Sequence, residues 1–350
     1  MIKLPENIKN TPVFFILSRP RTGSTLLRMF FEAHPKVAIP TECPMLIDLY
    51  VKYGKIKIWN EKKILKLYKD LIKQWKFKRW DTDFEQLKVN LLKLAEGSSF
   101  SDFYKTINLS YNSPYNKTEI SIIGDKNPGY SIYCKKIMRI FPQAKFIHLT
   151  RDYRNQISSV KKFDFEAPSV SLLSYRWKFV FNKLIKMEIH HPEKFIRVKY
   201  ENLVDNPDHT MQKICEFLEI PYDNSILNYY NNEKKYLDKY NDDLFKKYFP
   251  CLFSPIKASD SLDNNNNLSE SELVKASYII GNCARSAGYQ IIKNKPGIIT
   301  KFIVLFPQIY GYSWYQLKYL YDFMPLSIKK IIGFPTIFGI IYNKLFVKNN

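Results

Sequence analysis

Residues Val13 to Glu42 read VFFILSRPRTGSTLLRMFFEAHPKVAIPTE. The apolar run Val13–Leu17 predicts a strand, Ser18-Arg19-Pro20-Arg21-Thr22-Gly23 a tight loop, and the spacing of Leu26, Leu27, Phe30 and Phe31 a helix opening near Thr22. A loop that feeds a helix N-terminus aims unpaired backbone N–H groups and the positive end of the helix dipole at one point. Arg19, Arg21, the single glycine and the hydroxyls of Thr22, Ser24 and Thr25 gather there, as an anion-binding cradle requires. The plainer alternative is an ordinary strand-to-helix turn with a Ser/Thr cap.

Outward from this unit, apolar runs and amphipathic stretches alternate. Ile120–Gly124, Lys145–Thr150 and Phe195–Lys199 read as strands; Tyr130–Phe141, the residues from Arg154, Ser169–His190 and Asp208–Leu218 read as helices. Such alternation implies an α/β fold with a central, mostly parallel sheet flanked by helices on both faces. Pro44–Tyr53, Glu61–Gly97 and Phe100–Tyr111 form a predicted helical insertion, about residues 44–111, beside the sheet. Residues 229–268 are rich in Asn, Asp and Lys and are expected to form a loop or lid. Ser269 and Glu272 have capping-box spacing, and Gly288 is expected to close the helix they open.

The 350 residues carry 54 Lys and Arg against 33 Asp and Glu, a formal charge of +21. Such charge suits nucleic acid, a small polyanion or an anionic membrane. No helix-turn-helix, RNP-type or zinc-finger signature accompanies it, and the Lys, Asn and Ile bias also follows from an AT-rich genome, so no nucleic-acid partner is expected. Cys43, Cys134, Cys215, Cys251 and Cys283 are odd in number and scattered, which reads as reduced thiols in a cytoplasmic protein without a metal site. The N-terminus MIKLPENIKNTP lacks the apolar segment of a signal peptide. From Pro296 onward the chain is rich in aromatics, Ile and Lys, but no apolar run reaches the ~20 residues that span a bilayer. That tail is expected either to touch a membrane peripherally or to pack as a helical extension on the rest of the chain or a second subunit.

A nucleoside-triphosphate loop would need G-x-x-x-x-G-K-[ST]. Here Gly23 is the loop's only glycine, no Lys precedes Ser24, and Asp125 lies directly beside Lys126. A kinase or nucleotide hydrolase is therefore the weaker alternative, beside a non-catalytic membrane-surface protein. Arg21-Thr22-Gly23-Ser24-Thr25-Leu26 instead resembles the 5′-phosphosulfate loop of the sulfotransferase superfamily, closest to the branch of protein-tyrosine and carbohydrate sulfotransferases. His34-Pro35 followed by Glu42, Gly124-Asp125-Lys126-Asn127-Pro128, Phe141 to Asp152 with Ser159 beyond it, Tyr200-Glu201-Asn202-Leu203 and Ala287-Gly288-Tyr289 match that branch in order.

The resemblance covers roughly residues 12 to 292. It implies a P-loop-like three-layer fold, a catalytic domain over 1–292 and an extension over 293–350. It implies 3′-phosphoadenosine 5′-phosphosulfate as donor, with no metal required and a hydroxyl of a carbohydrate, glycolipid or tyrosyl peptide as acceptor. Arg21, Thr22, Gly23, Ser24 and Thr25 would hold the 5′-phosphosulfate; Arg151 and Ser159 would hold the 3′-phosphate, with Tyr200 as a further contact and Ser158 as the alternative to Ser159. Glu42 would be the base, Lys126 the cation on the bridging oxygen, and Arg21 would share that second role. Read without the resemblance, Glu42 is an acid favourable near a helix start and Lys126 one lysine among many. His148, inside a strand, reads as a core histidine.

Overall fold

The elements run β1 (Val13–Leu17), α1 (Ser24–Ala33), β2 (Val37–Ala38), α2 (Met45–Tyr53), α3 (Glu61–Ile72), α4 (Phe84–Leu92), α5 (Phe100–Leu109), β3 (Ile122–Lys126), α6 (Cys134–Ile140), β4 (Lys145–Thr150), α7 (Tyr153–Lys161), α8 (Val170–His190), β5 (Phe195–Lys199), α9 (Tyr200–Asp205), α10 (Pro207–Leu218), α11 (Glu270–Ile280), α12 (Asn282–Ser286) and α13 (Ile298–Asp322). They come from a computed structural model that describes residues 8–94, 97–163, 166–232, 254–256, 268–292, 296–324 and 328. The strands form one sheet in the order β2-β3-β1-β4-β5, with every neighbouring pair parallel.

All five residues of β1 are buried because the sheet is covered on both faces. Side chains alternate across a strand, so Val13, Phe15 and Leu17 enter one apolar cluster while Phe14 and Ile16 enter another. On the first face Phe15, Phe146 and Phe195 stack from strand to strand, with centroids 5.7 and 4.9 Å apart. The helices of the insertion close this face, with Trp59 and Phe103 in contact at 4.1 Å. On the second face α1 and α10 cover Phe14, Ile16 and Ile147. Tyr315 of α13 belongs to the same cluster as Phe15, so a residue from beyond position 292 shares the core of the sheet.

Several local expectations change. α1 opens at Ser24 rather than Thr22, because Gly23 stands before it in the left-handed region at φ 87°. β2 has only two residues, too few for a periodic signal to show. Pro128–Tyr133 forms a 3-10 helix ahead of α6. Ser269 and Glu272 do make a reciprocal capping box, but Gly281 at φ 55° breaks the expected single helix into α11 and α12. Most of the Asn-rich stretch 229–268 lies outside the described residues, as does the tail beyond residue 324 apart from Ile328.

Gly124 in β3 faces Phe14 and Ile39. A Cβ there would stand 2.5 Å from Phe14 Cζ and 2.8 Å from Ile39 Cδ1. Both neighbours are fully buried and have little room to yield. Gly124→Ala is expected to lower the unfolding free energy by about 1–3 kcal/mol, read as a lower denaturant midpoint with an unchanged slope.

Candidate functional site

The carboxyl ends of β1, β3, β4 and β5 open on one edge of the sheet, where open α/β folds place their ligands. β1 leads into the loop Ser18 to Gly23, which is held from three sides. Ser131 Oγ accepts from Ser18 N at 2.9 Å and donates to Ser18 O at 2.8 Å. Gln156 Nε2 donates to Pro20 O at 2.6 Å. Thr22 Oγ1 turns inward and donates to Arg19 O at 2.6 Å, which leaves the backbone of Thr22 rather than its hydroxyl for a ligand. Arg21 takes φ 63°, a left-handed conformation that a long side chain adopts only where its surroundings enforce it. Gly23 is required on two counts: its φ is 87°, and a Cβ would lie 2.3 Å from the Tyr200 ring. No side chain caps α1.

Arg21, Arg151, Ser159 and Tyr200, drawn from three separate strand–helix junctions, meet around this loop. Arg21 Nε donates to Ser159 Oγ at 3.1 Å, and its guanidinium lies 4.3 Å from the Phe163 ring. Arg151 Nη1 donates to Arg21 O at 3.2 Å, and its guanidinium lies 4.3 Å above the Tyr200 ring. Ser158 is buried, so Ser159 is the serine that faces the loop. Asp152, the neighbour of Arg151 in sequence, is engaged elsewhere: it caps α7 and accepts from Arg154 N and Nε, each at 2.9 Å. Arg151 Nε is buried without a hydrogen-bond partner among the described residues.

At the end of β3, Lys126 donates to Thr25 Oγ1 at 3.1 Å and to Glu42. Lys76 Nζ stands 3.6 Å from the other Glu42 oxygen. Lys126 is 3% exposed and Glu42 32%, so the carboxylate looks out while the ammonium is enclosed. Burial raises the Glu42 carboxyl, but Lys126 and Lys76 together outweigh it and hold the group below its ordinary value. Burial pulls the Lys126 ammonium down, against the opposing pull of Glu42. Asp125 points away to the Tyr104 hydroxyl, and burial pushes its carboxyl up to about 7. The cradle thus presents guanidinium groups near Gly23 and an ammonium–carboxylate pair near Thr25.

A family model described as "Sulfotransferase family" matches residues 12–224 of this chain. The chain belongs to the sulfotransferase family. It is similar to the "Protein-tyrosine sulfotransferase" of Drosophila melanogaster, 24% identical over 236 residues that make up 63% of this chain and 40% of that one. It is also similar to "Protein-tyrosine sulfotransferase 1" of Danio rerio, 24% identical over 226 residues, 63% of this chain and 57% of that one. The chain thus spans about half the length of these curated relatives. Among solved structures, the sulfotransferase domain from the Synechococcus PCC 7002 olefin synthase aligns with a TM-score of 0.54 at 20% identity, over 83% of this chain and all of that one. The sulfotransferase domain from the curacin biosynthetic pathway aligns with a TM-score of 0.52 at 20% identity, over 80% of this chain and 99% of that one. At that identity the likeness speaks for the fold alone, the P-loop-like three-layer arrangement expected from the sequence.

This sulfotransferase-family chain supports its site through residues that sequence spacing did not single out. Arg19, grouped with the cradle on sequence grounds, turns away from it: its Nη2 bonds both Glu166 oxygens at 2.8 and 2.6 Å. Arg176 of α8 bonds the same carboxylate at 3.0 Å and lies 4.9 Å from the Trp314 ring. Trp314 belongs to α13, so α13 packs against an arginine that shares Glu166 with Arg19 of the first loop. Glu201 accepts from Asp152 N at 2.9 Å and from the Tyr289 hydroxyl at 3.0 Å, tying the β5 junction to the segment after α12. His34 and His148 are structural. His34 Nδ1 accepts from Lys36 N at 3.0 Å and its Nε2 lies 2.8 Å from Pro221 O, which fits a neutral ring. His148 is buried and bonded to Glu188. Among the described residues, no group of three or more His, Cys, Asp or Glu side chains is placed to hold a metal.

Burial raises the Glu166 carboxyl, and Arg19 and Arg176 more than reverse this, bringing it down to about 2. A carboxylate with a depressed folded value stabilises fully above its ordinary value and loses that contribution as pH falls through the folded one. Glu166→Gln leaves two largely buried guanidinium groups without their carboxylate and is expected to cost about 3 kcal/mol of stability at neutral pH. The difference from the wild type should shrink as pH falls from 4.5 toward about 2, measured as paired unfolding curves across that window.

Proposed function

We propose that this chain transfers the sulfuryl group of 3′-phosphoadenosine 5′-phosphosulfate to a hydroxyl acceptor, in line and with Glu42 as base. The observation that supports this most is the division of charge along one loop. Arg21 and Arg151 stand at one end, and the Lys126–Glu42 pair stands at the other. A donor with anionic groups on both sides of its ribose needs two such cationic places. Arg151 suits the 3′-phosphate because no described carboxylate neutralises it and its buried Nε lacks a partner. Ser159 and Tyr200 stand beside it, while Thr22, Gly23, Ser24 and Thr25 supply the uncapped start of α1 for the 5′-phosphosulfate.

In the transfer, the acceptor oxygen forms the new O–S bond and its proton passes to Glu42. The S–O bond to the 5′-phosphate breaks, and the electron pair stays on the phosphate oxygen. Lys126 and Arg21 hold the charge that develops there. Lys126 is paired with Glu42, and the donor's bridging oxygen would offer the ammonium another partner. Glu42 is then released to accept a proton.

For the acceptor, the names of the curated relatives favour a tyrosyl hydroxyl on a peptide. Beside Glu42, Lys76 and Arg79 flank the exposed ring of Trp75 at 5.5 and 5.1 Å, a positive and aromatic approach that suits an acidic peptide. Cys43, Cys134, Cys215 and Cys283 are free, in keeping with work in the cytoplasm or on its membrane surfaces.

Transfer of labelled sulfate from the donor to acidic tyrosyl peptides and to a fractionated extract tests reaction and acceptor together. Glu42→Gln should lower kcat by about 10²–10⁴ while retaining affinity for an immobilised 3′,5′-bisphosphate nucleotide. Arg151→Ala should weaken retention of that nucleotide about ten- to a hundredfold, as expected for a lost charge-assisted contact. Absence of any labelled product together with no nucleotide retention by the wild type would refute the reading.

A further inference from the structure

Helix α13 has two unlike faces. Val304, Pro307, Gly311 and Tyr315 are its buried residues. Gly311 stands where a Cβ would meet Tyr175 of α8 at 2.5 Å, and Tyr315 stacks on Phe179 of α8 with centroids 4.2 Å apart and planes 7° from parallel. That face is committed to the rest of the chain. The opposite face carries Ile298, Ile299, Phe302, Ile303, Leu305 and Ile309, each 50–75% exposed. At 100° per residue, five of the six fall within little more than a third of a turn, and Ile303 lies just beyond. They occupy about 18 Å of helix at 1.5 Å per residue. Single exposed apolar side chains are ordinary on a soluble protein, but a continuous stripe of this kind marks a contact surface.

The stripe's geometry and the charge of the chain decide between occupants. No described helix is long and apolar enough to cross a membrane, and α13 could not bury its second face in lipid without leaving α8. A one-sided apolar stripe fits a surface entered to shallow depth. A second copy of the chain would bring a further +21 charges toward the first, whereas an anionic surface is drawn to them. Lys301 is exposed at the margin of the stripe, and Tyr278 of α11 adds a 43% exposed ring. We propose that the outward face of α13 lies in the headgroup region of an anionic lipid bilayer, with the helix axis along the membrane plane. Charge attracts the protein and the apolar stripe holds it there. The same helix sets Trp314 4.9 Å from Arg176, which shares Glu166 with Arg19 of the candidate site's loop.

This inference is independent of the catalytic reading, since vesicle binding is measured without donor or acceptor. The full-length chain should co-sediment with vesicles of phosphatidylglycerol and phosphatidylcholine in equal parts, far less with phosphatidylcholine alone, and less as salt rises. Combined Ile299→Ser, Phe302→Ser, Leu305→Ser and Ile309→Ser should lower partitioning by at least about tenfold, because several buried apolar groups are lost. Its circular dichroism and melting curve should match the wild type. Should that variant misfold, vesicles doped with a photoactivatable acyl-chain probe address the wild type directly, and the label should fall within residues 298–312. The proposal is overturned if the substituted chain binds as the wild type does, or if the label falls only elsewhere. It is also overturned if the wild type ignores anionic vesicles and elutes as a dimer that the substitutions dissociate, which would give the stripe to a second copy.

Discussion

Positive charge crowded at one edge of a sheet must be held apart and partly neutralised, and the candidate site depends on how this chain does so. Arg19, Arg21, Lys126 and Arg151 all issue from the carboxyl ends of β1, β3 and β4 or the loop beyond. Their partners differ: carboxylates for Arg19 and Lys126, a hydroxyl and a ring for Arg21, and a carbonyl with an aromatic face for Arg151. A carboxylate consumes a cation's attraction for a further anion; a carbonyl or a ring only orients it. The four cations are thereby sorted without moving any of them far. Arg19 is tied to a carboxylate and braces the loop, Lys126 is paired with Glu42, and Arg151 meets a carbonyl and a ring.

The fold was legible in the sequence because the sheet is covered on both faces. Full burial turns strands into unbroken apolar runs, and Val13–Leu17 stood out on that account. The failures share a cause: they are short, or they turn on a backbone angle. Val37–Ala38 is an edge pair completed by hydrogen bonds to β3, and two residues carry no period. Gly23 and Gly281 both take positive φ, and a sequence shows only that a glycine is present, not which angle it adopts. One therefore delays a helix by two residues and the other cuts a helix in two.

The site was legible where its residues lie next to strand ends and opaque where they do not. Arg21, Lys126, Arg151 and Tyr200 each lie at the carboxyl end of a strand or within four residues of it, so the topology carries them to the same edge. Glu166, Arg176 and Trp314 have no such address. Glu166 is 147 residues from Arg19 and reaches it because α7, α8 and the segment between them pack beside the first loop. Without Glu166 in view, Arg19 looks like one more ligand group of the loop. With it, Arg19 is the arginine least available to a ligand. Ser158 and Ser159 show the smaller version of the same limit: both lie on a helix that the sequence revealed, and only its rotation against the loop decides between them.

That sorting also bears on how a base and a cation can occupy one site without cancelling. Glu42 and Lys126 are bonded, and the pair is asymmetric: the ammonium is enclosed and the carboxylate a third exposed. Removing Lys126 from Glu42 into an apolar enclosure would leave a buried charge uncompensated, so the pair holds while nothing else is near. A bridging phosphate oxygen beside Thr25 would change that balance, since Lys126 already donates to the Thr25 hydroxyl. Glu42, facing solvent and keeping Lys76 at 3.6 Å, would stay ionised through the exchange. The donor would then switch on the base by engaging the base's own counter-ion, and an acceptor arriving first would meet a carboxylate already occupied. On the proposed roles of Lys126 and Glu42, this pairing would favour donor before acceptor.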